Sequence, residues 1–183
     1  MFTLINKIKK NNLALSELKT YLSNDKPIKS KVINEDLILR KLNFIKEITD
    51  LNFSFENCLF ENIDFSFRTF SNRIIFTNCI IKDFYAMSIF YPKGFEMKNC
   101  IILGNFDLSC GGHNKLNNFI IENCIFQGEV DFTDCWFMGK VSIKNNIFTN
   151  GTNILGKNVS QTKVQFDDEY IILNNLGNVK IDH

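Results

Sequence analysis

From residue 53 onward, apolar residues fall on alternate positions in short bursts, and the bursts repeat. Cys58-x-Phe60, Cys79-x-Ile81, Cys100-x-Ile102 and Cys124-x-Phe126 each place a small and a large apolar residue two apart. Asn146-x-Phe148 continues the series with Asn in place of Cys. The steps between the first residues are 21, 21, 24 and 22. A half-step copy, Cys135-x-Phe137, lies 11 residues after Cys124. Alternation over two residues is the period of a strand, with both apolar residues on one face. Two residues beyond each large residue stands Asn62, Asp83, Gly104, Gly128, Gly139 or Asn150. These types enter left-handed backbone at least cost, so that column predicts a turn after each short strand.

About four such units, 21 to 22 residues in all, return the chain to its start. Successive circuits then stack at the ~4.8 Å strand spacing and pair in parallel. The expected fold is all-β: a right-handed parallel β-helix of square (quadrilateral) section with about five to six coils. Its core ladder is Cys58, Cys79, Cys100, Cys124 and Cys135 with Phe60, Ile81, Ile102, Phe126, Phe137 and Phe148. The 24-residue step carries about three extra residues, expected in "SCGGHNKLNN", residues 109–118. Cys110, ten residues after Cys100, fits an inward position like that of Cys135.

An open β-helix end exposes strand edges and core, so it needs a cap. Leu13, Leu15, Leu18, Tyr21 and Leu22 follow roughly helical spacing and Ser23-Asn24-Asp25 ends them, which predicts one or two short helices. The expected division is an N-terminal helical cap over 1–35 and a β-helix over 36–183, with a partial last coil at 167–183.

The small-x-large unit resembles the pentapeptide-repeat family, whose five-residue unit has a small residue two places before a central Leu or Phe. Cys58/Phe60, Cys79/Ile81, Cys124/Phe126, Val130/Phe132, Cys135/Phe137 and Val141/Ile143 carry the likeness, which covers roughly residues 50–166. Many six-residue steps and a scarcity of Ala-Asp/Asn-Leu units depart from the family pattern. Flat, regular sheet faces bind partners well and build deep catalytic pockets badly. The expected role is therefore a non-enzymatic structural scaffold or protein–protein interaction module that works through a flat face, the 109–118 loop or an end. Several relatives in the family it resembles form dimers through an end. Some relatives protect type II topoisomerases from quinolones by imitating DNA with a strongly acidic rod.

Charge bears on that last activity. Residues 36–166 hold 13 Lys/Arg and 13 Asp/Glu, whereas 1–35 are net +4 and 167–183 net −3. A rod with no net charge does not reproduce the field of a duplex that carries one charge per ~1.7 Å. Four excess positive charges at one end are too few to argue nucleic-acid binding. No apolar run approaches the ~20 residues of a membrane span, and "MFTLINKIKKNN" lacks the long apolar core of a signal peptide. The expectation is a cytoplasmic protein with a protein partner, no membrane and no nucleic acid.

Composition narrows the chemistry further. The 19 Phe must be buried somewhere. The six Cys sit mostly inside apolar strings, form no C-x-x-C pair and have only two His for company, so they read as small core residues. No metal, cofactor or catalytic group is expected. "GTNILGKN", 151–158, approaches the phosphate-binding loop but ends in Asn158 rather than Ser or Thr, and Thr152 and Ile154 fall at inward repeat positions. The interaction candidates are Cys110, Gly111, Gly112, His113, Asn114 and Lys115, because a loop that bulges from a regular rod is where function tends to sit. Cys110 with His113 is also the one pair that could make an activated thiolate.

Overall fold

The computed structural model describes residues 11–24, 26–156 and 163–181. They form an all-β parallel solenoid of about five turns with one short helix, Leu15–Leu22, near the N-terminus. The first face stacks seven parallel strands, from Ile28–Lys29 through Ser54–Glu56, Ile74–Thr77, Phe95–Lys98, Phe119–Glu122 and Val141–Lys144 to Tyr170–Leu173. The second face aligns Ile33, Phe60, Ile81, Ile102, Phe126 and Phe148. The third aligns Leu37, Ile63, Phe84, Phe106 and Val130, with Thr152 added by a single bridge. The fourth runs through Ile48, Thr69, Phe90, Gly112, Trp136 and Gln165. Four ladders per turn give the square section that the 21-to-22-residue period requires.

Each column of inward residues is buried because every coil has the same cross-section. Cys58, Cys79, Cys100, Cys124 and Cys135 are at most 2% exposed, and so are Phe60, Ile81, Ile102, Phe126, Phe137 and Phe148. Phenyl rings of adjacent coils stack, Phe55 on Phe76 at 5.3 Å, Phe84 on Phe106 at 5.1 Å and Phe126 on Phe148 at 5.0 Å. Burial contributes roughly 1.5–3 kcal/mol per ring, so the phenylalanine excess is the main source of cohesion.

Left-handed backbone does not fall where the sequence suggested. The column four residues after each Cys is not left-handed. The residue before the Cys is: Asn57, Asn78, Asn99, Asn123 and Asn145 have φ of 54° to 56°, and Asp134 before Cys135 has 56°. Asn tolerates this conformation because its side chain bonds locally, which explains the recurrent Asn-Cys dipeptide. The later column answers to a different need, close approach between coils. A side chain on Gly128 would strike the Gly104 backbone, and one on Gly104 would strike Asp83. Asp83 uses that space to accept the Asn105 N–H at 2.8 Å.

The three extra residues are also divided differently from the expectation. Ile81 and Phe84 pair with Ile102 and Phe106, so one residue is added at 103–105. Phe90 and Phe95 pair with Gly112 and Phe119, so the other two are added at 113–118. The bulge is therefore a two-residue expansion of the corner between the fourth and first faces.

At the N-terminal end, Leu18 and Leu22 are fully buried. Ser23 Oγ and Asn24 Nδ2 bond the last carbonyls of the helix, at Lys19 and Thr20. Ile28 already pairs with Phe55, and Val32–Ile33 with Leu59–Phe60, so the first coil begins ahead of the expected boundary at residue 36. Any earlier helix in the expected cap lies outside the described residues. The last coil covers three faces: Tyr170–Leu173, then Leu176 bridging Ile147, then Asn178 and Val179 accepting from Thr152 and Leu155. Tyr170, Ile171, Leu173 and Leu176 are exposed there.

Candidate functional site

The corner loop is ordered from its buried side. Asn114 is fully buried. Its Nδ2 donates to the carbonyls of Asn117 and Lys140 at 3.1 and 3.0 Å, and its Oδ1 accepts the Gly139 N–H at 3.2 Å. The Leu116 N–H donates to Pro92 O at 2.9 Å, tying the loop to the preceding coil. Gly112 has φ +114°, and a side chain there would meet the Trp136 backbone. His113 supplies the missing outer side chain. Its ring sits 4.3 Å from Phe90 and 5.2 Å from Trp136, with Nδ1 buried and without a partner. Burial lowers its pKa.

Cys110 is not inward. It is exposed, at φ +56°, in the column of Phe67, Ser88 and Asp134. Buried Gly111 takes the inward place expected for it, in line with Ile89 and Cys135. Partial burial raises the Cys110 pKa, and so do Asp134, Asp107 and Asp131. A thiol held protonated by carboxylates is a poor nucleophile. No hydrogen bond joins Cys110 to His113 among the described residues, so the pair is not assembled. Of the six loop candidates, Gly111, Gly112 and Asn114 shape the corner, His113 is part of an aromatic rib, and Cys110 and Lys115 face outward. The sequence reading passed over Leu116, which is 70% exposed at the tip.

The cysteine ladder is chemically quiet. The Cys79 N–H donates to Cys100 Sγ and the Cys100 N–H to Cys124 Sγ, both at 3.4 Å. The bond with Cys100, followed by burial, pushes the Cys79 thiol up to about 12. Cys58 is raised further by its bond with Cys79, and Cys135 by burial. In "GTNILGKN", Thr152 and Ile154 are buried and Gly151 is left-handed at φ +77°. Lys157 and Asn158 lie outside the described residues. Thr152 bridges Val130, so this stretch continues the third-face ladder of the repeat.

The outer surfaces carry more information. On the second face Leu59, Ile80, Ile101, Ile125 and Ile147 occupy one outward column, where strand alternation would put polar residues. The asparagine column borders it. On the third face Asp64, Tyr85, Asp107 and Asp131 share a column. These aspartates cap the chain two residues on, accepting N–H groups of Ser66, Ser109 and Thr133 at 3.0, 2.8 and 2.7 Å. An even charge count thus hides an uneven distribution: aspartates gather on the third face, and Arg73, Lys93, Lys115 and Lys140 lie at the corner between the fourth and first faces.

No family model, no curated protein and no solved structure matches the chain. No helix among the described residues is long and apolar enough to cross a membrane.

Proposed function

We propose that the chain is a non-enzymatic protein of pentapeptide-repeat type that works in the cytoplasm as a structural scaffold or protein–protein interaction module. The small-x-large inward pairs and the square section support the family reading. The observation that carries the function is the outward aliphatic column Leu59, Ile80, Ile101, Ile125 and Ile147. A contiguous apolar stripe on a flat, hydrogen-bonded face is an interaction surface that needs no rearrangement to bind. The partner is another protein. The exposed Tyr170, Ile171, Leu173 and Leu176 of the last coil also offer a route to a homodimer through that end.

The test is an affinity pull-down of the tagged chain from a lysate of its own source, with an Ile101→Lys/Ile125→Lys variant beside it. A stoichiometric partner that the variant loses supports the module and locates its face. An empty result with both proteins ends the reading.

The third-face aspartates favour a second reading, an imitation of DNA that inhibits or protects gyrase or topoisomerase. They fall at most one per coil at the ~4.8 Å coil spacing, with Tyr85 interrupting the column between Asp64 and Asp107, against ~1.7 Å per charge in a duplex, so their field is the weaker one. A supercoiling assay tests it. Inhibition by the wild type that Asp107→Asn/Asp131→Asn abolishes would establish this activity, and no inhibition would remove it.

A further inference from the structure

Three adjacent columns on the third face follow a polar rule, and one place breaks it. The rule is Asp, then Ser or Thr two residues on, then a small or polar residue in left-handed backbone: Asp107-x-Ser109-Cys110 and Asp131-x-Thr133-Asp134 obey it throughout. Asp64-x-Ser66 obeys the first two positions but is followed by Phe67, left-handed at φ +59°. The next coil has Tyr85 in place of Asp and Met87 in place of Ser. A bulky aromatic in left-handed backbone is an outlier that costs stability. The Phe67 N–H donates to Met87 O at 2.9 Å, so the exceptions are neighbours. All three side chains are more than a third exposed.

Phe67, Tyr85, Met87 and Ile38 line an open groove of about 520 Å³, which Asp36, Asp64, Asp83 and Asp107 also line. Two cations share it. Arg40 pairs with Asp64 at 3.4 Å, and Lys82 reaches Glu61, which is not part of the groove. Asp36, Asp83 and Asp107 each have one oxygen engaged, by Asn62 Nδ2 and by the N–H groups of Asn105 and Ser109.

We infer that this groove docks a basic, extended segment of a protein partner, with an Arg or Lys side chain laid across Tyr85 and Phe67. The rings offer their faces to the cation, Met87 and Ile38 meet the aliphatic stem, and the remaining carboxylate oxygens match the charge. An acidic segment would face four carboxylates against two cations. The inference rests on the interaction-module reading and names the chemistry of one partner.

The test is fluorescence anisotropy of the full chain with a labelled short peptide of alternating Arg and Leu, and with its Glu-Leu counterpart, at low and high salt. The decisive variant, Phe67→Ser/Tyr85→Asp/Met87→Ser, restores residues that the repeat uses elsewhere. It keeps the fold and adds a carboxylate. The Arg-Leu peptide binds the wild type, the Glu-Leu peptide does not, and the variant binds about tenfold more weakly although it is more acidic. Equal or tighter binding by the variant would mean that charge alone attracts the peptide, and would overturn the site. So would equal binding of the two peptides, or none. Sedimentation velocity covers the remaining occupant: a wild type that self-associates beside a monomeric variant assigns the groove to a second copy and overturns the proposal. Failure here leaves the Ile101→Lys/Ile125→Lys result untouched, so the two readings fail separately.

Discussion

The backbone N–H of Cys124 donates to the side-chain oxygen of Asn146, one coil further on, at 2.8 Å. In the two preceding coils the equivalent N–H groups, of Cys79 and Cys100, reach only a thiol sulfur at 3.4 Å. Asn146 also donates through Nδ2 to Ile121 O at 3.0 Å, and its own N–H donates to Asn175 Oδ1 at 3.0 Å. The inward column therefore changes from thiol to amide acceptors as the solenoid ends. Asn146→Ala would leave the Cys124 N–H and the Ile121 carbonyl without these partners at a site 1% exposed, at a cost of about 2–4 kcal/mol. Asn146→Cys restores the weaker acceptor and costs less. Urea midpoints of the three proteins check the order.

The left-handed asparagines make a second prediction. Asn99 has φ +54°. Asn99→Ala costs about 1 kcal/mol, because Ala gains nothing in left-handed backbone, while Asn99→Gly stays within about 0.5 kcal/mol. Asn150 stands in the column the sequence assigned to the turn, and its φ is not left-handed. Asn150→Ala should be close to neutral. Equal losses at Asn99 and Asn150 would refute this placement of the turn.

Inside and outside positions of one strand should separate cleanly. Phe126 lies against Phe106 at 5.1 Å and Phe148 at 5.0 Å, and is fully buried. Phe126→Ala costs about 3–5 kcal/mol. Ile125 is its outward neighbour, and Ile125→Ala costs less than about 1 kcal/mol. Thermal unfolding of both variants measures the contrast. A large loss at Ile125 would mean that its column packs against something in the isolated protein.

Most of the architecture was legible in the sequence because a solenoid writes its period directly into the chain. Cys58, Cys79, Cys100 and Cys124 mark one corner, and their spacing alone gives the coil. What a one-dimensional period does not give is backbone sign at the corners. The Asn-before-Cys and Gly-after-Phe columns both look like turn residues, and only the stacking of Gly128 on Gly104 shows that the second serves close approach. Cys110 failed for a related reason. Counting ten residues from Cys100 ignores the residue added at 103–105, which moves Cys110 off the inward column and puts Gly111 on it. The outer columns were invisible for another reason: Tyr85, Met87 and Phe67 become neighbours only when coils 21 residues apart are laid side by side.

Cys110 should be the one thiol of six that an aromatic disulfide reagent reaches in the native protein, since the other five are buried. Its rate is slow at neutral pH because burial and the carboxylates of Asp134, Asp107 and Asp131 hold the thiol protonated. Asp107→Asn/Asp134→Asn removes two of those charges and speeds the reaction by about two- to threefold at fixed pH. Cys110→Ser abolishes it. Labelling of more than one thiol per chain without denaturant would contradict the sealed core.

Alkali should attack the same core through its thiols. A free thiol titrates near 9.0, and the fold raises Cys79 to about 12 by its bond with Cys100 and by burial. Cys58 is raised by its bond with Cys79 and Cys135 by burial. The sign follows from linkage: the folded state favours the protonated thiol, so this stability is complete below pH 9 and is lost as pH rises from 9 toward the folded value. Each fully shifted thiol removes up to about 1.4 kcal/mol per pH unit in that window. Urea midpoints should therefore be flat from pH 7 to 8.5 and fall between about pH 9 and 10.5. Lysines and tyrosines also begin to titrate there, so the wild type alone does not identify the source. Cys79→Val and Cys135→Val isolate it. Each variant loses some stability at pH 7 through altered packing, and its midpoint then declines less steeply above pH 9 than that of the wild type. Parallel slopes in all three proteins would show that the thiols do not carry the alkaline sensitivity.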